Sequence, residues 1–486
     1  MKYFFTILFS LLSICSYSQN GITWSAPITV ATSSSGNYHP RIALDRAGNP
    51  LVIWGTASNR ENFARWTGSA FSTPVILNTS MSIFSATWGG PDIASFGDTV
   101  YITIKRSPEN ISTNYCYLIH SYDGGQSFSS PVRIDNINDS LSRFPIVCTD
   151  TIGNPIVAFM KFDSSYWHAR YVVTKSADFG NTFSTDVRAS ALAGDSVCNC
   201  CPATLLSAGN TLVMLYRDNN ANLRDMWAGI STNAGSSFSN DFSVDNTNWM
   251  INACPASGPD GVLIGDSLYT IFMSSATGSS LVYFSRSSVS GASISTCSPI
   301  TGTFSGLTTQ NYPRIASSGN AIAMAWVQTV NGTSQAALKF KNSLNSSFPA
   351  IYDTLASGNI NNVDVFVAPG IVHVVWEDDN SGTVKYRKGT YTIAPTSVAK
   401  EISNEPAINI YPNPASEYFT ISAKDIPGIA TCTLIDNAGK RFDLKPIGSN
   451  NKTTISVRGL ANGLYSVLLT DNSDKVYHSK LLIQSK

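Results

Sequence analysis

Charge is what this sequence has least of. Asp, Glu, Lys and Arg make up 13% of its 486 residues, about half of the roughly 25% usual in soluble domains. The 32 basic residues cancel the 32 acidic ones, and a neutral chain has no built-in attraction for nucleic acid or an anionic membrane surface. Long apolar runs are missing too: beyond the amino terminus no stretch holds 18 unbroken apolar residues, so no membrane-spanning helix is expected. There is no Gly-rich phosphate loop and no strand–helix alternation, which leaves no nucleotide site and no cofactor to expect. Glutamate is scarce, and none lies between Glu109 and Glu377. What the chain does have is 43% hydrophobic residues, 11% aromatics, 34 Gly and 22 Pro. That mixture suits short strands and many turns, so the expectation is a large all-β protein rather than a helical bundle, coiled coil or collagen. Its length exceeds one core, so at least two domains are expected.

Lys2 precedes the short apolar run from Tyr3 to Leu12, and Ser16-Tyr17-Ser18 supplies small residues at cleavage spacing. Residues 1–18 therefore read as a secretory signal peptide. A lipoprotein is the alternative at Cys15, but that Cys follows Ile14 rather than a small residue. Export leads to an oxidising compartment, so disulfides among the eight remaining cysteines are expected, with a connectivity the sequence does not give.

Prolines 40, 91, 145, 202, 255 and 313 recur 51 to 58 residues apart. Each opens an apolar stretch, followed by a Gly turn and a second strand such as Leu51-Val52-Ile53-Trp54 or Ala323-Met324-Ala325-Trp326. A third strand, a tight turn and a fourth strand complete the period, which is the pattern of a propeller blade. Six repeats are complete and a seventh has three strands, so the segment from Trp24 to Val30 is expected to supply the missing fourth. The expectation is a seven-bladed β-propeller over residues 19–394, with six blades as the alternative count.

The turns Ser121-Tyr122-Asp123-Gly124-Gly125-Gln126-Ser127-Phe128, Ser176 to Phe183 and Ser231 to Phe238 repeat one formula, with Phe128, Phe183 and Phe238 at 55-residue spacing. An Asp or Asn accepts backbone N–H bonds, Gly takes the positive φ and the aromatic packs beneath. These turns resemble the Asp-box of sialidase-like (BNR-repeat) propellers, in which they are structural. Sialidases of that family have six blades, an arginine triad, a Tyr nucleophile assisted by Glu, and an Asp acid/base. Here Pro40-Arg41-Ile42 and Pro313-Arg314-Ile315 carry the proline on the wrong side of the family motif, and the middle blades offer no Glu.

From 395 to 406 the chain is linker-like. Ile410-Tyr411-Pro412-Asn413-Pro414, Leu434-Ile435-Asp436-Asn437-Ala438-Gly439 and Leu460-Ala461-Asn462-Gly463-Leu464-Tyr465 then occur in order. Residues 407–486 read as a small β-sandwich and resemble the type A carboxyl-terminal sorting domain of type IX secretion cargo. The resemblance implies the type IX secretion machinery as a partner, passage across a Bacteroidota-type outer membrane, and a secreted or surface location.

Propeller geometry gathers the first-strand starts, the between-blade loops and the loops joining second to third strands on one end, opposite the Asp-box-like turns. Candidate catalytic residues on that end are Arg41, Asp92, Asp163, Arg217, Asp218, Asp225 and Arg314, with Arg41, Arg217 and Arg314 as a loose triad. Trp88, Trp167, His168, Trp249 and Tyr312 are candidate ligand contacts. Aromatics beside charged groups suit a ring-shaped polar ligand such as an extracellular glycan. The expectation is glycan binding, with a sialidase-like glycoside hydrolase as the alternative. A ring of residues after each proline is expected to be Arg41, Asp92, Ile146, Ala203, Ala256 and Arg314. Disulfide candidates are Cys198, Cys200, Cys201 and Cys254 at this mouth, and Cys116 with Cys148. A thiolate metal site built from His39, Cys198, Cys200, Cys201 and Cys254 is the less favoured reading. Six Asp-Ser/Thr-apolar triplets, such as Asp98-Thr99-Val100, resemble the O-glycosylation sequon of Bacteroidota exported proteins, or simply turn the chain into a strand.

Overall fold

The computed structural model describes residues 20–77, 80–135, 140–163, 165, 167–190, 196–394, 409–422, 428–436, 440–447, 452–473 and 475–484. The expected signal peptide and linker lie outside the described residues. The chain divides into two compact units, Met1–Ala394 and Pro395–Lys486.

In the first unit each repeat folds as an antiparallel sheet. The first contains Tyr38–Leu44, Pro50–Gly55, Glu61–Arg65 and Val75–Ile76, in that spatial order. Its second strand is apolar on both faces because a sheet packs on either side, and Leu51, Val52, Ile53 and Trp54 are completely buried. Five more four-stranded sheets begin at Asp92–Phe96, Ser140–Thr149, Thr204–Ala208, Asp260–Ile264 and Leu307–Ser318. The seventh is built from Ile360–Ala368, Ile371–Asp378 and Thr383–Tyr391, and the amino-terminal strands Ile22–Trp24 and Ile28–Thr29 both pair with Thr383–Tyr391. Among the described residues there are thus seven sheets in this unit. The first strand of each packs against that of the next, and the seventh meets the first, where the Ile42 N–H donates to Asp364 at 3.0 Å.

The closing strand is held by specific contacts. Trp24 Nε1 donates to Asp353 at 2.9 Å, and Arg387 lies over the Trp24 ring. Gly389 sits beneath it: a Cβ there would meet Ile22 at 2.4 Å and Trp24 at 2.8 Å. Only glycine admits the tryptophan so close to the strand.

The three repeated turns share one hydrogen-bond pattern. In the first, the Gly125 N–H donates to Ser121 Oγ at 2.9 Å, the Ser127 N–H to Asp123 Oδ1 at 2.9 Å and the Ser127 hydroxyl to Asp123 Oδ2 at 2.6 Å. Ser176, Asp178 and Thr182 repeat this in the second. In the third, Ser231 Oγ and Asn233 Oδ1 accept the N–H groups of Gly235 and Ser237 in the same way, but the last bond is reversed, Asn233 Nδ2 donating to Ser237 Oγ at 2.8 Å. The aromatic packs inward, Phe128 edge-on to Phe63 at 4.9 Å.

One register expectation is corrected. The strand opener of the fifth sheet is Pro259 and not Pro255, because its first strand is Asp260–Ile264. Pairing with the second strands aligns Arg41, Asp92, Ile146, Thr204, Asp260, Arg314 and Asp364. Thr204, Asp260 and Asp364 therefore occupy ring places that spacing alone assigned to Ala203 and Ala256 or left empty. The extra residues between Pro255 and Pro259 belong to the disulfide-bonded loop.

The second unit forms two sheets, one of Asn409–Tyr411, Tyr418–Ser422 and Lys452–Ser456, the other of Arg441–Leu444, Ile429–Ile435, Gly463–Asp471 and Val476–Ile483. Phe419, Ile421, Cys432, Leu434, Ile455, Val467, Leu469 and Leu481 form their common core.

Candidate binding site at the channel mouth

Residues from the first strands of six sheets, together with Ala256 to Pro259 just before that of the fifth, surround a cavity of about 210 Å³ at the centre of the ring. That is room for about seven waters at about 30 Å³ each. Its polar groups include Arg41, Asp92, Arg314 and Asn362, and its aromatic ones Trp88, Phe144 and Tyr312. Three lining residues owe their position to a bulge. At His39, Phe144 and Tyr312, each just before a proline, φ is 52°, 48° and 50°. The pairing of the inner strand slips at those same places. A left-handed non-glycine residue costs on the order of 1–3 kcal/mol and tends to occur at ligand sites.

From the fifth sheet round to the second the ring positions alternate in charge, as Asp260, Arg314, Asp364, Arg41 and Asp92, while Ile146 and Thr204 are uncharged. Arg314 Nε donates to Asp364 at 2.8 Å and lies 3.4 Å from Asp260, and these carboxylates with Asp92 raise its pKa despite burial. Arg41 bonds the Pro40 carbonyl at 2.8 Å and Asn362 at 3.0 Å, and burial followed by the charge of Arg314 lowers its pKa to about 10. It remains a cation at neutral pH. His39 Nδ1 lies 3.1 Å from the Thr87 carbonyl, and burial together with Arg41 holds its pKa well below the usual value. A neutral imidazole wedged beside two guanidiniums is a poor place for a metal cation.

The aspartates of the ring also staple neighbouring sheets. Asp92, Asp260 and Asp364 accept the N–H of Val147, Ile315 and Ile42 at 3.0, 2.8 and 3.0 Å. Burial raises the pKa of Asp92, against the pull of Arg314 and of that N–H. The repeated Gly-Pro-Asp at 90–92 and 258–260 was the sequence signal for this staple.

Glu377, fully buried between the seventh and first sheets and behind the cavity wall rather than lining it, is the titratable group that stands out. Its oxygens accept from Thr87 Oγ1 at 2.8 Å and the His39 N–H at 3.3 Å. Burial nevertheless pushes its pKa up to about 7, aided by Asp379. Its charge helps to raise the pKa of Tyr312, after burial. Glu377 lies within the strand Ile371–Asp378, whereas the sequence alone placed it, with Asp378 and Asp379, in a strand-joining loop at this end of the ring.

The other candidates lie elsewhere. Arg217 is buried away from the cavity, donating to the carbonyls of Ser257, Arg224 and Met273 at 3.1, 2.8 and 2.8 Å. The triad of Arg41, Arg217 and Arg314 is therefore not assembled. Trp249 packs under Arg217, and its N–H donates to Asp225 at 3.0 Å. Asp218 is buried in the same loop and its pKa is pushed up to about 6 by that burial. Asp163 caps its own turn through the N–H groups of Ser165 and Trp167. Trp167 is 69% exposed and His168 is exposed beside it, neither lining the cavity.

The cysteines at the mouth form two disulfides, Cys198–Cys201 and Cys200–Cys254, with Cα separations of 5.5 and 6.2 Å. The second ties the loop of the fourth sheet to that of the fifth, and Pro202 and Ala256 beside them line the cavity. The Cys198 N–H bonds the Arg217 carbonyl at the far end of the strand from the Ser231 turn. His39 is not part of the cluster. Cys116 and Cys148 do not pair and are free. Cys116 starts its strand opposite Lys105, whereas Cys148 lies near the turn at the other end of the next sheet, so the two are separated along the strands.

Residues 409–484 match the family model of the secretion system C-terminal sorting domain. The second unit is a type IX secretion sorting domain. The protein is secreted or held at the outer-membrane surface, and no helix among the described residues is long and apolar enough to cross a membrane. No curated protein matches the chain in sequence. Among solved structures, a protein of unknown function from Dyadobacter fermentans is 12% identical with a TM-score of 0.45, covering 66% of this chain and 100% of that one. An ulvan lyase bound to -[GlcA(1-4)Rha3S]- is 11% identical with a TM-score of 0.49, covering 74% and 95%. The phage phi92 endosialidase is 10% identical with a TM-score of 0.45, covering 95% and 79%.

Proposed function

We propose that this exported protein binds a glycan in the cavity at the channel mouth. The observation that carries the reading is the meeting of Arg41, Arg314, Asp92 and Asn362 with Trp88, Phe144 and Tyr312 around one small cavity. Aromatic faces stack on the apolar face of a sugar ring, while fixed charges and an amide select its hydroxyl or acidic groups. Titration calorimetry of the secreted protein against a panel of neutral and acidic polysaccharides tests it. Binding to at least one, weakened about tenfold or more by Trp88→Ala, is the expected result. Heat from none of them, or affinity indifferent to Trp88→Ala and Arg314→Ala, would overturn the reading.

A second reading, glycoside hydrolysis, is favoured by Glu377. A carboxyl with a pKa of about 7 beside Tyr312 is suited to proton transfer at neutral pH. Release of reducing ends from a bound polysaccharide, abolished in Glu377→Gln while binding persists, is the outcome that would turn the binder into an enzyme.

A further inference from the structure

We propose that the four cysteines at the cavity rim are a thiol-reactive site with two interconvertible pairings, and that an external thiol, small or cysteinyl, drives the exchange. The sulfurs of Cys198, Cys200 and Cys201 all lie within 4.8 Å of one another. Cys198 Sγ and Cys200 Sγ, which belong to different disulfides, are 3.6 Å apart. One residue of the set is open to solvent: Cys254 is exposed, Cys200 half-buried, and Cys198 and Cys201 buried. Arg224 is held by the Ile251 carbonyl at 3.1 Å and places Nη1 3.1 Å from Cys198 Sγ.

The steps balance without net oxidation. The incoming thiolate attacks Cys254 Sγ and forms a mixed disulfide, and the electron pair of the broken Cys200–Cys254 bond leaves on Cys200. The Cys200 thiolate attacks Cys198 Sγ across the 3.6 Å gap, and the pair leaves on Cys201. The Cys201 thiolate then attacks Cys254 Sγ and expels the original thiolate. The products are Cys198–Cys200 and Cys201–Cys254. Cys198 is bonded in both states, and it is the sulfur that Arg224 holds. A cation there steadies the negative charge that spreads over the three sulfurs during transfer.

The exchange moves the covalent tie one residue toward the cavity. Cys201 offers its carbonyl to the Tyr171 hydroxyl at 2.7 Å, and Pro202, Ala203 and Thr204 after it form the wall facing Ala256 to Pro259. The two pairings therefore set two positions of that wall. This consequence rests on the cavity being the binding site, whereas the exchange chemistry does not.

Disulfide mapping of the full secreted chain separates the two, because it needs no glycan. The sample is quenched in acid, its thiols are alkylated, and the peptide is fragmented between Cys200 and Cys201. With catalytic reduced glutathione, the wild type should gain Cys198–Cys200 and Cys201–Cys254 alongside the original pairs. In Cys254→Ser the alkylated thiol should be found on both Cys200 and Cys201, and Arg224→Gln should slow the wild-type exchange several-fold. A single unchanged pairing in the wild type, together with alkylation confined to Cys200 in Cys254→Ser, would overturn the proposal. So would simple loss of both disulfides with no second pairing.

Discussion

A carboxyl group held near neutrality by burial leaves a thermodynamic signature. Glu377 has its pKa raised from 4.5 to about 7, chiefly by desolvation, while the Thr87 hydroxyl and the His39 N–H pull it back only in part. Between those values the folded chain keeps a proton that the unfolded chain gives up. The native state then binds more protons, so the stability contributed by this group is full below 4.5 and is lost as pH rises through 7. Glu377→Gln keeps a hydrogen-bonding side chain and removes the titration. Denaturant unfolding of both proteins at about pH 4.5 and about pH 8 should show the variant gaining on the wild type by up to about 3 kcal/mol. A difference that stays constant with pH would mean that Glu377 titrates normally. Asp123 and Asp178 run the other way. For Asp123 desolvation is the largest single influence and acts upward, yet the hydrogen bonds of the turns together hold both groups near 2, so what they add is present above about 3.8 and fades as pH falls toward 2. Both are only half-buried, solvent screens them, and their effect is small.

At the scale of the strand, ring closure is the feature that local chemistry decides most sharply. Trp24 buries its ring, hydrogen-bonds Asp353 and rests on Gly389. Trp24→Ala deletes the packing and strips one donor from the half-buried Asp353 carboxylate. The first unit should lose about 3 to 5 kcal/mol, read as a lower melting midpoint of the purified protein. An unchanged midpoint would mean that the chain ends do not close the ring. This element was legible in the sequence, because a three-strand remainder at one end and an orphan strand at the other allow only one completion. The turns were legible for the same kind of reason: a Ser-x-Asp-x-Gly pattern has few backbone solutions. The fifth inner strand was not. Pro255 and Pro259 both fit the repeat, and the choice depends on a disulfide loop whose length no periodicity encodes. The site was half legible. Arg41, Asp92, Arg314, Trp88 and Tyr312 reach the cavity because pseudo-symmetry places them there. Arg217, Asp218 and Asp225 share the same end but turn into a loop core, a matter of side-chain direction that spacing does not record. Asp260, Asp364 and Asn362 went unnoticed because their strands lack the opening proline that marked the others, or carry it at an unexpected place.

For the whole molecule, two units with separate cores imply separable roles. The core of the first is shared among neighbouring sheets around a closed ring, and that of the second lies between its own two sheets. The sorting domain occupies residues 409–484, and the boundary between the compact units falls at Ala394. Because each core is complete on its own side of that boundary, removal of residues 395–486 should leave the first unit folded, with its melting midpoint within a degree or so of the parent once purified from the periplasm. The same truncation should abolish appearance of the protein in the medium or at the cell surface, because the segment recognised for outer-membrane passage is gone. The two readouts are independent. A secreted truncation would deny the sorting role. A midpoint lowered by several degrees, about what 1–2 kcal/mol does in a large domain, would instead place part of the stability of the first unit in contacts with the second.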